Sequence, residues 1–207
     1  IKKMLRSSHN FDNDIVMACR NIGKWYGVSK SHVQAVADIA LPIFDSMKKV
    51  HGLGARERLL LECAVYLHDC GKFISLVNSV ECTCQIIMAT EIIGLSHRER
   101  EMIAQTVRFN TLPMESYERV SRWTDLTLED YLTITKLAAI LRLSNAMDRS
   151  HLQKIERLRA AVRDGKLVLN LETKKDYTLE KGLLGEKIEF FEEVFGVRPV
   201  LKVKRKL

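Results

Sequence analysis

"AVYLHDCGKFIS", Ala64 to Ser75, is the stretch on which the reading of this chain turns. Apolar helix-forming residues run into His68 and Asp69, and Gly71 stops the run. A histidine beside an aspartate at the end of the most apolar helix needs a physical reason. Either the pair satisfies itself in the core, or it holds a metal or a phosphate. Burying such a group without a partner costs roughly 1–3 kcal/mol, and an unpaired carboxylate costs more.

Helical periodicity extends outward from this stretch to about residue 150. Asp12 or Asn13 can cap a helix running to Tyr26, with Gly27 as its stop. Ser29 or Ser31 begins a long helix toward His51, closed by Gly52 and expected to kink at Pro42. Arg56 to Cys70 is apolar nearly all round, the pattern of a buried helix. A further helix is expected around Cys84 to Ile93, ending at Gly94. Ser96 and Glu99 form a capping box for a helix toward Arg108. "TLPMESYERVSRW" reads as a loop with a short helix, and Thr127 to Ser150 as a long one. After Lys154 the period changes. Two alternating runs flank Asp164-Gly165, a hairpin signal. An amphipathic helix from Leu179 to Phe195 stops at Gly196, and "RPVLKVKRKL" alternates as a final strand. The chain therefore reads as a mainly α domain over residues 1–150, with a small C-terminal β-β-α-β module over residues 151–207.

Composition narrows the class. The chain has 207 residues, 46% of them hydrophobic and 29% charged, which is a globular balance with room for a sizeable core. No apolar run approaches membrane-span length, and the polar opening "IKKMLRSSHNFDND" is not a signal peptide. The first residue is Ile, so a piece of a longer protein is expected. Five cysteines without framework spacing read as free thiols in a reducing cytoplasm. Net charge is +7, and the residues from His151 onward hold 14 Lys and Arg against 9 Asp and Glu. This local excess of +5 favours a polyanion, or else serves as a solubilising tail. No basic stripe interleaved with aromatics is present, so nucleic acid is not the expected partner.

Three separate helices each carry a ligand-type residue beside an apolar stripe. His68 lies over Leu61, Ala64 and Val65; His32 shares a face with Val36, Ile39 and Ile43; Asp148 shares one with Leu137, Leu141 and Ser144. A lone histidine on an apolar face is usually a satisfied core histidine. The set His32, His68, Asp69 and Asp148 is more specific, because H…HD…D resembles the ligand set of the HD superfamily of metal-dependent phosphohydrolases. Two imidazoles and two carboxylates suit one divalent ion such as Mn, Mg, Fe, Ni or Zn.

The resemblance narrows further. "YLHDCGKFIS", "GLSHREREMIA" and "LRLSNAMDRSH" are similar to the C-terminal half of the Ppx/GppA family of exopolyphosphatases and guanosine pentaphosphate phosphohydrolases. Members read close to L-L-H-D-I-G-x-x-I-S, G-F-S-H-R-E-R and L-R-x-A-x-A-L-D-R-S. The likeness runs from "YGVSKSHVQAVADIALPIFD" to the closing β-β-α-β module, nearly the whole chain. It implies an HD-domain-like helical bundle and a parent that releases terminal phosphate from polyphosphate or guanosine pentaphosphate with Mg. Two actin-like domains that carry the family's cleaving site precede this region in whole members. No Gly-rich loop followed by Lys-Ser/Thr occurs here. The expected roles of the piece are polyanion binding, homodimerisation, or both. The alternatives are an independent HD phosphohydrolase on a nucleotide, or a buried network without metal.

The chain also departs from the family. A histidine-rich stretch of the family is replaced by "NSVECTCQ", with Ser79, Val80 and Cys82, and R-Y-H-R is replaced by "RFNT", with Asn110. A binuclear centre is therefore not expected. Cys82, in a C-x-C with Cys84, either replaces one ligand or packs as a thiol, and His97 has no metal role. Lys72, Arg98, Arg108, Arg142 and Arg149 are candidate phosphate contacts, with Lys72, Arg108 and Arg149 preferred as substrate-binding residues.

Overall fold

The computed structural model describes residues 11–206. Helices α1 (Phe11–Trp25), α2 (Lys30–Ser46), α3 (Lys48–His51) and α4 (Ala55–Leu67) come first. A 3₁₀ turn at Cys70–Phe73 separates them from α5 (Ser79–Ala89), α6 (His97–Thr111), α7 (Tyr117–Val120) and α8 (Leu128–Met147). Strands β1 (Ile155–Arg163) and β2 (Lys166–Thr173), helices α9 (Thr178–Gly182) and α10 (Gly185–Phe195), and β3 (Arg198–Arg205) complete the chain. The fold is mainly α with a small C-terminal α+β part, as the sequence reads.

Ser29, Ser96 and Thr127 cap helices where the sequence places them, whereas Asp12 and Asn13 lie inside α1 rather than capping it. Ser29 accepts a hydrogen bond from the His32 amide at 3.3 Å, which starts α2 and sets His32 in its first turn. Ser96 and Glu99 close both bonds of the capping box, at 3.1 Å and 3.0 Å. Thr127 and Asp130 do the same for α8.

Several boundaries differ from the expectation: α4 ends at Leu67 rather than Cys70, α8 ends at Met147 rather than Ser150, and three others have a clear physical reason. The helix from Ser29 toward His51 is two helices, and the break lies at Met47 rather than at Pro42. The Ser46 hydroxyl donates to the Ile43 carbonyl at 2.8 Å, and the Met47 amide is shared between the Ile43 and Phe44 carbonyls. That competition ends the ladder. The expected helix at 84–93 is α5, which starts at Ser79 and stops at Ala89, where the Thr90 hydroxyl donates back to the Ile86 carbonyl at 2.7 Å. The expected helix at 179–195 splits into α9 and α10, because fully buried Leu184 turns into the core between them.

The sheet order is β1-β2-β3. β1 and β2 are antiparallel around Asp164-Gly165, whose φ values of 50° and 71° are those of a type I′ turn. β3 runs parallel to β2 after the α9–α10 crossover. Leu167, Leu169, Leu171 and Leu201 are buried on one face of the sheet and join the core cluster of the helices. α10 packs on α8 and β3, and α2 packs on β1. Among the described residues no helix is long and apolar enough to cross a membrane.

Candidate metal centre

The end of α4 fixes the centre. Leu59, Leu60, Leu61, Cys63, Ala64, Val65, Tyr66 and Leu67 are all buried, so His68, one position past the helix, cannot reach water. Its side chain is 1% exposed. Nδ1 lies 2.6 Å from the Val65 carbonyl, which only accepts, so the ring proton is on Nδ1 and the lone pair on Nε2. Burial lowers the His68 pKa, which keeps the ring neutral near pH 7. Nε2 is buried and has no hydrogen-bond partner among the described residues. Metal-binding histidines show this arrangement, with one nitrogen donating to a carbonyl and the other free for the ion.

Asp69 turns the chain into the 3₁₀ segment. Its Oδ1 is 3.6 Å from His68 Nε2 and 2.9 Å from Lys72 Nζ. Burial pushes the Asp69 carboxyl up, but His68 and Lys72 outweigh it and hold it below the ordinary carboxylate range. The turn is placed by Gly71. Its N–H donates to Thr83 Oγ1 at 2.9 Å, and that hydroxyl donates to the Ser79 carbonyl at 2.7 Å.

His32 comes in from α2 and is fully buried. Its Nδ1 is 2.7 Å from Asp148 Oδ2, and its Nε2 is 3.0 Å from the Asn145 side-chain amide. The amide atom that faces Nε2 is Oδ1, which only accepts, so an ion that takes the Nε2 lone pair must displace Asn145. Asp148 is not inside α8 but caps its C-terminus. The Gln153 backbone N–H donates to its Oδ1 at 2.9 Å and the Gln153 side chain to its Oδ2 at 3.3 Å. Both carboxylate oxygens are thus occupied by neighbouring donors.

His151 completes the cluster. Its ring lies on His32, with centroids 3.6 Å apart and planes 4° from parallel. One ligand atom each of His32, Asp69 and His151 lie within 4.8 Å of one another, which is close enough to share one ion. His68 adjoins the group, its ring centroid 5.7 Å from that of His32. A nitrogen and oxygen donor set with an orphaned buried lone pair beside it fits a divalent cation. The sequence reading did not single out His151, Gln153 or Asn145, although all but Gln153 fall within the quoted "LRLSNAMDRSH". The missing signal was conformational: His151 and Gln153 have φ values of 56° and 46°, which fold the segment back over the site.

The candidate phosphate contacts fall in different settings. Lys72 sits at the cluster, on Asp69. Arg149 is exposed, next to Asp148 in the chain, and its guanidinium has no partner among the described residues. Arg108 is paired with Glu81 at 2.9 Å and lies over the Trp123 ring. Arg98 is paired with Asp130, and Arg142 caps the Phe109 and Leu112 carbonyls at the end of α6. Cys84 is a packed thiol: it is buried, donates to the Ala104 carbonyl at 3.3 Å, and is pushed up to about 11 by burial. Cys82 is partly exposed, and His97 is the exposed first residue of α6.

The comparisons with known proteins bear on the whole of this arrangement. A family model described as Ppx/GppA phosphatase, domain III, matches residues 17–190. The chain belongs to the Ppx/GppA phosphatase family. The domain III match runs from α1 through both hairpin strands into α10, so it takes in every residue of the His/Asp cluster. No curated protein matches the chain at a significant level.

Proposed function

We propose that this domain of a Ppx/GppA phosphatase binds a polyanionic substrate on the open face of its C-terminal sheet. One observation carries the reading. The strand register puts Arg157, Arg159 and Arg163 of β1, Lys166 of β2, and Arg198, Lys202 and Lys204 of β3 on the same face, against Glu172 alone. Arg163, Lys166 and Arg198 are direct cross-strand partners, and like charges opposite one another destabilise a sheet. Glu192 offsets only Arg198, at 2.6 Å. The like charges on this face repel one another, and a bound polyanion relieves that repulsion. A groove of about 270 Å³ crosses the three strands between Arg157, Arg159, Asn170, Lys202 and Lys204, with Glu172 also in its lining.

The substrate of the parent is polyphosphate or guanosine pentaphosphate, whose terminal phosphate it releases with Mg. The chain acts in the cytoplasm, consistent with five free cysteines. It works as a homodimer, for which the exposed apolar run Phe73, Ile74, Leu76 and Val77 is the available surface. A labelled polyphosphate titration at several salt concentrations tests the binding. Affinity should fall steeply with salt, because exposed charges interact over only about 8 Å at physiological ionic strength. Arg159→Gln/Lys202→Gln/Lys204→Gln should weaken binding and flatten the salt dependence without unfolding the chain. Unchanged affinity in that variant would refute the sheet face as the site.

The His68 Nε2 orphan favours a second reading, in which the cluster holds one divalent metal and hydrolyses a phosphoester by itself. His32, His68, Asp69 and Asp148 are the residues concerned, with Mn, Mg, Fe, Ni or Zn as the ion. Turnover of a nucleotide at about 1 s⁻¹ or faster, lost in Asp69→Ala, would establish this reading.

A further inference from the structure

We infer that a divalent cation shared by His32, Asp69 and His151 pins the segment that joins α8 to β1, so that the ion ties this connection to the helical core. The inference rests on the metal reading of the cluster and goes beyond it, because it adds a ligand outside the H…HD…D set. It also gives Asp148 a different task from ligation.

The first observation is distance: the three residues offer one ligand atom each within 4.8 Å of one another. They come from three places, α2, the turn after α4, and the α8–β1 connection. An ion there bridges parts of the chain more than eighty residues apart in sequence. Two imidazoles and one carboxylate leave open positions, as in mixed N/O sites for first-row divalent metals.

The second observation is independent of distance. His68 is nine-tenths or more buried, and its unpartnered Nε2 lies 3.6 Å from Asp69 Oδ1. That lone pair has nothing to accept from among the described residues, and a cation beside Asp69 relieves it.

The third is the backbone. His151 and Gln153 hold positive φ values without being glycine. Such residues store strain and persist only where their surroundings fix them, often at functional sites. Gln153 is fixed by Asp148, through a backbone bond of 2.9 Å, and by donating its side-chain amide to the His151 carbonyl at 2.7 Å. Asp148 also accepts from His32. Asp148 is therefore a positioning residue: it orients His32 and holds the loop that carries His151. The His151 amide donates to the Asp148 carbonyl at 2.9 Å, and the His151 ring stacks on His32.

The test uses the whole chain with Mn²⁺ or Zn²⁺ as the probe. Calorimetric titration reads affinity, and amide hydrogen exchange reads order in residues 149–154. The expected result is one ion per chain and slower exchange across that segment when it binds. His151→Ala, an exposed position, should keep its far-UV circular dichroism. It should lose the protection and bind the ion at least about tenfold more weakly, the low end of what even an outer partner of a metal ligand contributes. His151→Gln guards against a folding artefact and should behave the same way. Equal affinity and equal protection in both variants, with binding abolished by Asp69→Asn, would overturn the inference and leave the metal reading standing. Absence of binding by the unaltered chain would remove both.

Discussion

Gly71→Ala tests whether the turn carrying the His68-Asp69 pair is shaped by backbone contact. A Cβ at this position would stand 2.0 Å from the Ser79 carbonyl oxygen and 2.5 Å from both the amide nitrogen and the hydroxyl of Thr83. Two of those atoms are backbone of the first turns of α5, so no side-chain rotation relieves the overlap. Either α5 or the 3₁₀ turn must move. Overpacking of this kind costs about 1–3 kcal/mol. The movement also loosens the Gly71 N–H to Thr83 Oγ1 bond of 2.9 Å, which contributes about 1 kcal/mol. The total is roughly 2–4 kcal/mol, and each kcal/mol lowers Tm by about 2–4 °C in a chain of this size. Thermal melting should therefore fall by roughly 4–16 °C. Thr83→Val, which keeps the shape and removes the hydroxyl, separates the two contributions and should cost about 1–3 kcal/mol. A Gly71→Ala chain that melts within about 2 °C of the original would refute the contact argument. It would also remove the reason given for the placement of Asp69.

Lys154→Met should destabilise the chain by about 3–5 kcal/mol in urea unfolding, because it leaves the buried Glu180 carboxylate, now 3.0 Å from Lys154 Nζ, without its cation. Adding Glu180→Leu should recover most of that loss. Ser96→Ala removes the α6 cap and should lower stability by about 1 kcal/mol, read from the urea midpoint. His51 donates from Nε2 to the Phe44 carbonyl and accepts at Nδ1 from the Leu53 amide, both at 2.8 Å, so only its neutral form fits. Burial lowers its pKa below the ordinary 6.5, hence the unfolded chain binds more protons in the window beneath that value. Stability should be full above about pH 6.5 and decline as pH falls, with His68 and His151 adding to the slope and His51→Gln reducing it.

Local chemistry made much of this protein legible from its sequence. Ser29, Ser96 and Thr127 start helices because their hydroxyls satisfy amides that the helix leaves open. Asp164-Gly165 closes the hairpin because both residues tolerate positive φ. The all-round apolar pattern of α4 marked the helix that buries His68, and "YLHDCGK" carried the family. Each of these is decided within a few residues, by hydrogen bonds and burial that the local chain itself supplies.

Tertiary structure decided what depends on partners distant in sequence. The split before α10 reflects the core taking in Leu184, and no helical period encodes that. The cationic face needed the register, since β3 joins β2 in parallel only after a crossover, and alternation alone does not say which strands are neighbours. His151 was beyond reach for the same kind of reason. A helical wheel places a residue relative to its own helix, whereas His151 lies past the end of α8 on a turn with positive φ. Its position over His32, more than a hundred residues earlier in the chain, is set by the bonds that Gln153 and His32 both make to Asp148.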